Sequence, residues 1–368
     1  MTLKLKIKHV WPVIVFSFVS IPLTLSAQTT SLGADTDWRS ANDAVGQLKR
    51  GHADVLKWEQ ANASPAAMQG PVADGLKLLT IEDVTRQAWR NHRDLARSLT
   101  RLDTATVALI VTGRWTEVDP SLQRRVDDMD EVLEVAVQAR KAWLQAVATR
   151  QALAQYRTAL DAAEAANELG RRMVNVGNWS KLQQTQMQLA QSAAKMNLVR
   201  AQYTADQAQA SLIKLLGLRG QYTHVTLPES LPVVPPQLVP RDEWQKKLMA
   251  IQAQLPVADG IRNQANIELA LAAYQASHAL VKGTRDEVLK TREFISEETL
   301  LHYNGMLSSV WDLLGESRNQ SQAVIDAIAA QRDFWIAEAD LQWVLQGGEP
   351  DNFVSLGAGG EAAAPAGH

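Results

Sequence analysis

Apolar residues recur at helical spacing along most of this chain. Ile81, Val84, Ala88, Leu95 and Leu99 form a stripe behind the capping-box signature Thr80-Ile81-Glu82-Asp83. There the Thr hydroxyl can accept from an early backbone N–H while Asp83 reaches back to the cap. The stripe predicts a helix to about Thr112. Val107 to Thr112 is an apolar β-branched run that also suits a short strand, although its position favours the buried end of a helix. Gly113 and Asp119-Pro120-Ser121 break the chain. Met129, Val132, Leu133, Ala136, Trp143, Leu144 and Val147 then line a helix predicted over 121–174, which would span ~81 Å at ~1.5 Å per residue.

Gly177-Asn178 predicts a turn and Trp179 to Leu216 a second helix. In it Leu182, Leu189, Met196, Tyr203 and Ala210 recur every seven residues, a coiled-coil period. Five prolines between 218 and 241 predict an extended connector. A short helix over Asp242–Ala253 follows, reset by Pro256. Val257 to Tyr303 reads as uninterrupted helix, Asn304-Gly305 turns, and a last helix runs over 308–346 to Gly347-Gly348. Each half thus has a long helix, a glycine turn and a helix that ends on glycine (Gly217, Gly347), which duplication of a helical hairpin would explain. The expected fold class is all-α: long antiparallel helical hairpins with an internal two-fold repeat and no transmembrane β-barrel. The expected divisions are a leader (1–27), short helices and linker (28–78), first hairpin (79–217), Pro-rich connector (218–241), second hairpin (242–348) and disordered tail (349–368).

Composition adds a compartment. Lys4, Lys6 and Lys8, the apolar stretch Val10–Leu25 and small residues ending at Ala27 form the layout of a secretory signal peptide. The alternative, a membrane anchor, is disfavoured by a 16-residue stretch that contains Pro12 and Pro22. Losing three lysines from a net charge of −3 would leave about −6, which offers nothing basic for nucleic acid. There is no cysteine, hence no disulfide, thiol catalysis or lipid-bearing cysteine.

Candidate chemistry is sparse. No two of the seven histidines stand at i, i+4, so no helical zinc motif exists. His92 and the others read as surface or core histidines. No nucleophile elbow, P-loop or dinucleotide fingerprint occurs, and the chain is expected to be no enzyme, with no cofactor, metal or catalytic residue. Trp179 and Trp311 follow the two turns closely. They are either packing residues of the hairpins or hydrophobic anchors for a partner.

Several of these residues also carry a resemblance. Leu79-Thr80-Ile81-Glu82-Asp83-Val84, continuing through Ala88 to Asn91-His92-Arg93-Asp94-Leu95, resembles the opening segment of outer-membrane efflux (TolC-like) proteins, with His92-Arg93 where that family has Asn-Pro. Arg171-Arg172-Met173-Val174-Asn175-Val176-Gly177, Leu182 and the Gln/Ala-rich heptads to Leu215-Leu216-Gly217-Leu218 resemble its hairpin motif. Gly305 to Leu314 with the following helix is similar to the second copy. The resemblance covers roughly residues 79–348. It implies a trimer whose long helices line a periplasmic tunnel, with the glycine turns at a tip where a periplasmic adaptor (membrane fusion) protein of an efflux pump docks. By that resemblance Gly177, Asn178, Trp179, Ser180, Gly305, Met306, Leu307 and Ser308 are tip residues. Lys181 or Gln183 stands where the family has an acidic residue. The implied role is a component of a tripartite efflux system, exported to the periplasm in association with the outer membrane. The alternative is a soluble periplasmic helical scaffold or binding protein, a metal-related one included, that keeps the family fold without forming a channel.

Overall fold

A computed structural model describes residues 75–222, 224–252 and 257–356, with the side chains of 252–263 left aside. The leader, short helices and most of the linker expected before residue 75, with Pro256 and the end of the expected tail, lie outside the described residues. The described elements are β1 (Leu76–Lys77), α1 (Ile81–Asn91), α2 (Ala96–Thr100), α3 (Thr104–Val111), α4 (Leu122–Arg125), α5 (Met129–Asn175), α6 (Lys181–Leu215), β2 (Val225–Thr226), α7 (Arg241–Gln252), α8 (Val257–Lys282), α9 (Lys290–Asn304) and α10 (Val310–Leu345).

The fold is all-α, built on two antiparallel hairpins. The first is α5 against α6. The second is α8 and α9 against α10. Helix α10 also lies along α5, which joins the hairpins. At ~1.5 Å per residue the 47-residue α5 is ~70 Å long. Helices α8 and α9 are one continuous helix, as expected, interrupted only by a π-helical segment at Gly283–Leu289. The two strands pair in parallel, Leu76 opposite Val225. At two residues each, neither approaches the nine or so needed to cross a bilayer.

The capping box at Thr80 forms as expected, with Asp83 N–H donating to the Thr80 hydroxyl and Thr80 N–H to the Asp83 carboxylate. The single helix expected to reach Thr112 does not. Helix α1 stops at His92, whose ψ of 83° leaves the helical region. Asp103 then caps a new helix by accepting from Thr106 N–H at 2.8 Å. Val107 to Val111 is helical, with Ile110 and Val111 fully buried. The helix expected over 121–174 is also broken. Val126 is extended and Asp128 left-handed (φ 55°), which lets Val126 and Met129 both face the core.

Tryptophans tie the irregular segments to the helices. Trp89 donates its indole N–H to Val132 O (3.1 Å), Trp143 to Leu78 O (2.9 Å), Trp115 to Ile110 O (2.9 Å) and Trp335 to Pro232 O (2.8 Å). A buried indole needs such a partner. Asn91 donates to Leu215 O at the C-terminus of α6. It lies so close to Gly217 (φ 65°) that any Cβ there would collide with its amide.

Where α5 meets α10 the core is polar. Arg140 is almost wholly buried, 2.7 Å from Glu338 and within cation–π reach of Trp115 and Trp335. Gly113 leaves space for its guanidinium. Gln342 accepts from Trp115 N–H (2.9 Å), and Gln346 donates to Trp115 O (2.7 Å). Beside them Lys141 pairs with buried Asp340 at 2.7 Å. Burial pushes the Asp340 carboxyl above its ordinary value, with Lys141 pulling the other way.

The seven-residue stripe of α6 does not form the seam with α5. Leu182, Leu189 and Tyr203 are each about 70% exposed. Helix α6 instead turns an alanine-rich face inward, with Ala208, Leu212 and Ile213 buried and Ala190, Ala194, Ala201 and Ala205 half-buried. Small residues let two long helices approach closely. Asn167 crosses from α5 to donate to Gln191 at 2.7 Å. The heptads therefore mark an outward face.

Candidate docking tip

Both hairpins turn through the same backbone device. In the first, Gly177 N–H bonds to Val174 O and Asn178 N–H to Met173 O (2.9 Å). In the second, Met306 N–H bonds to Tyr303 O and Leu307 N–H to His302 O (2.8 Å). Each is a Schellman pair, which closes a helix through one left-handed residue. In the first turn that residue is Gly177 (φ 79°). In the second it is Met306 (φ 58°), whereas Gly305 has an ordinary φ of −81°. The sequence aligns Gly305 with Gly177, and the hydrogen bonds shift the match by one residue.

The next helix starts alike in both hairpins. Ser180 accepts from Gln183 N–H, and the Gln183 side chain accepts from Ser180 N–H. Ser309 and Asp312 repeat the box. Hydrogen bonds from Ser309 hold the Asp312 carboxyl below its usual value. The residue that caps is thus Ser309, and Ser308 is half-buried beside it. Gln183 thereby completes a cap.

Trp179 and Trp311 are stacked, ring centroids 4.1 Å apart. Both are half-buried, so they join the two hairpins to each other. Gly170 of α5 makes room, because a Cβ there would lie 3.3 Å from the Trp179 ring. Next to the stack, a groove of about 230 Å³ opens between the hairpins, lined by Ala162, Ala166, Met187, Ala190, Trp311 and Leu314.

Around the joined pair the turns are open. Met306 is 95% exposed, Leu307 79% and Val176 68%. Gly177, Asn178, Ser180 and Gly305 are exposed as well. Arg171 and Arg172, just before the first turn, both hydrogen-bond to Glu168 (2.8–2.9 Å). They pull its carboxyl down to about 2. All eight residues expected at the tip therefore lie in or beside the two turns. Val176, which the sequence places in the first turn but not among the tip residues, is exposed as well.

No sequence profile of a known family and no curated protein matches the chain. Solved structures do resemble it. The channel-forming protein CusC is 13% identical at a TM-score of 0.49, over 73% of this chain and 96% of its own. The outer membrane protein VceC of Vibrio cholerae is 12% identical at 0.44, over 66% of this chain and 76% of its own. The MtrE outer membrane channel of Neisseria gonorrhoeae is 14% identical at 0.44, over 65% and 72%.

Proposed function

We propose that this chain is a non-enzymatic component of a tripartite efflux system, whose periplasmic helical hairpins dock with an adaptor protein through their joined tips. The observation that carries the reading is the Trp179–Trp311 stack, which presents two turns together with Met306, Leu307 and Val176 open to solvent. A rigid end with exposed apolar side chains and free polar backbone suits a protein partner. The motif resemblance at Thr80–Asp83, Arg171–Gly177 and Gly305–Leu314 supports the efflux assignment, and the two hairpins are read as copies of one duplicated unit.

Assembly belongs to the same reading. Leu182, Leu189, Met196, Val199 and Tyr203 of α6, with Phe294 and Leu301 of α9, leave large apolar side chains outside the hairpins. Trimerisation would cover them, as the resemblance implies. The second reading, a periplasmic scaffold without a channel, is favoured by the two-residue strands.

Photo-crosslinking in cells decides the tip. A crosslinker at Asn178 or Leu307 is expected to capture a periplasmic adaptor, and one at exposed Glu164 on the shaft is not. Equal capture from both positions, or none from the tip, overturns the docking assignment.

A further inference from the structure

The break after α1 gathers three metal-ligating side chains that sequence spacing keeps apart. His92 caps the end of α1, Asp94 lies in the 3₁₀ segment Arg93–Leu95 that follows, and Glu131 lies in the first turn of α5. A ligand atom from each lies within 4.8 Å of the other two. Yet no hydrogen bond or ion pair joins them, and among the described residues none of the three carboxyl or imidazole groups has another partner of that kind. The Arg101–Asp127 ion pair involves none of the three.

We propose that His92, Asp94 and Glu131 form a binding site for a divalent transition-metal cation of the zinc type. One imidazole and two carboxylates make a ligand set that zinc accepts at ~2.0–2.2 Å, with water completing the shell. Two ligands on one tetrahedral zinc stand ~3.4 Å apart, given bonds of ~2.1 Å. A limit of 4.8 Å on the separations lies near that spacing, so small side-chain shifts would close the three groups on an ion.

The surroundings favour a cation. Asp128 and Asp130 lie close enough to act on Glu131 electrostatically. Asp94 stands in the same cluster as Glu131 and adds to that negative charge. A bound dication would offset that repulsion. It would also tie the turn after α1 to the start of α5, where the carboxylate of left-handed Asp128 accepts a 3.5 Å hydrogen bond from Ser98. Neither the efflux reading nor the tip enters this inference.

Zinc titration of the purified chain, monitored by competition with a chromophoric chelator, tests it. One zinc per chain is expected. His92→Ala and Glu131→Gln should each weaken binding at least tenfold, with the helical circular dichroism unchanged. Asp94 is exposed, so Asp94→Asn serves as a variant with little risk to folding. Zinc should also raise the melting temperature of the wild type and not of the variants. Failure of the wild type to compete for zinc overturns the site. So does zinc uptake that all three variants retain, which would place the ion on other histidines.

Discussion

Trp179 and Trp311 come from different hairpins, 132 residues apart, and stack at 4.1 Å. The contact makes one end out of two turns. A double-mutant cycle of Trp179→Ala and Trp311→Ala should therefore give a coupling of about 1 kcal/mol in urea unfolding, the size of a specific aromatic pair. Additive effects would mean that the rings pack only on their own hairpins.

Met306 occupies a backbone conformation that the first turn assigns to glycine. A side chain there is strained by roughly 1 kcal/mol. Met306→Gly should stabilise the chain by about 0.5 kcal/mol, after the added freedom of the unfolded state is offset. Gly177→Ala should destabilise it by about 1 kcal/mol. Both are read from denaturation midpoints. Since Met306 is nearly fully exposed, Met306→Gly should also weaken adaptor capture while improving stability, the signature of strain kept at a contact surface.

Arg140 and Glu338 are buried together between α5 and α10. Removing one partner strands the other, and Arg140→Ala should cost about 3–5 kcal/mol. The Arg140 Nε has no hydrogen-bond partner and the Glu338 contact is not a well-aligned hydrogen bond. Arg140→Met should consequently lose much less when combined with Glu338→Leu. Thermal melts of the single and double variants check this.

Glu168 titrates at about 2 in the folded chain against 4.5 for an ordinary glutamate, because Arg171 and then Arg172 hydrogen-bond to it. A lowered carboxyl contributes stability that is fully present above pH 4.5 and lost as the pH falls towards 2. Carboxyl ¹³C shifts should show Glu168 still ionised at pH 3. In the Arg171→Ala, Arg172→Ala variant it should protonate near 4.5.

Much of this architecture is legible in the sequence, for reasons that differ by element. The long helices stand out because Gly and Pro are nearly absent from them, and the turns because Gly177, Gly217 and Gly347 take left-handed backbone that few other residues tolerate. Breaks at His92 and Asp128 escape, since neither residue is a helix breaker. Packing of Asn91 against Gly217 and burial of both Val126 and Met129 override local preference there. The heptads of α6 signal an apolar face, but the pattern cannot say which partner covers it. Alanines win the intrachain seam because close helix approach rewards small side chains. The positions of the two turns are legible, while the one-residue shift onto Met306 and Ser309 emerges only from the hydrogen bonds.

The efflux role proposed for the joined tips requires the chain to assemble through the outward stripe of α6. The measurement that tests it most directly is the mass of the purified chain by sedimentation equilibrium. The account predicts a trimer, and a monomer for Leu189→Glu combined with Tyr203→Glu at unchanged helicity. A folded wild-type monomer across the micromolar range would contradict it.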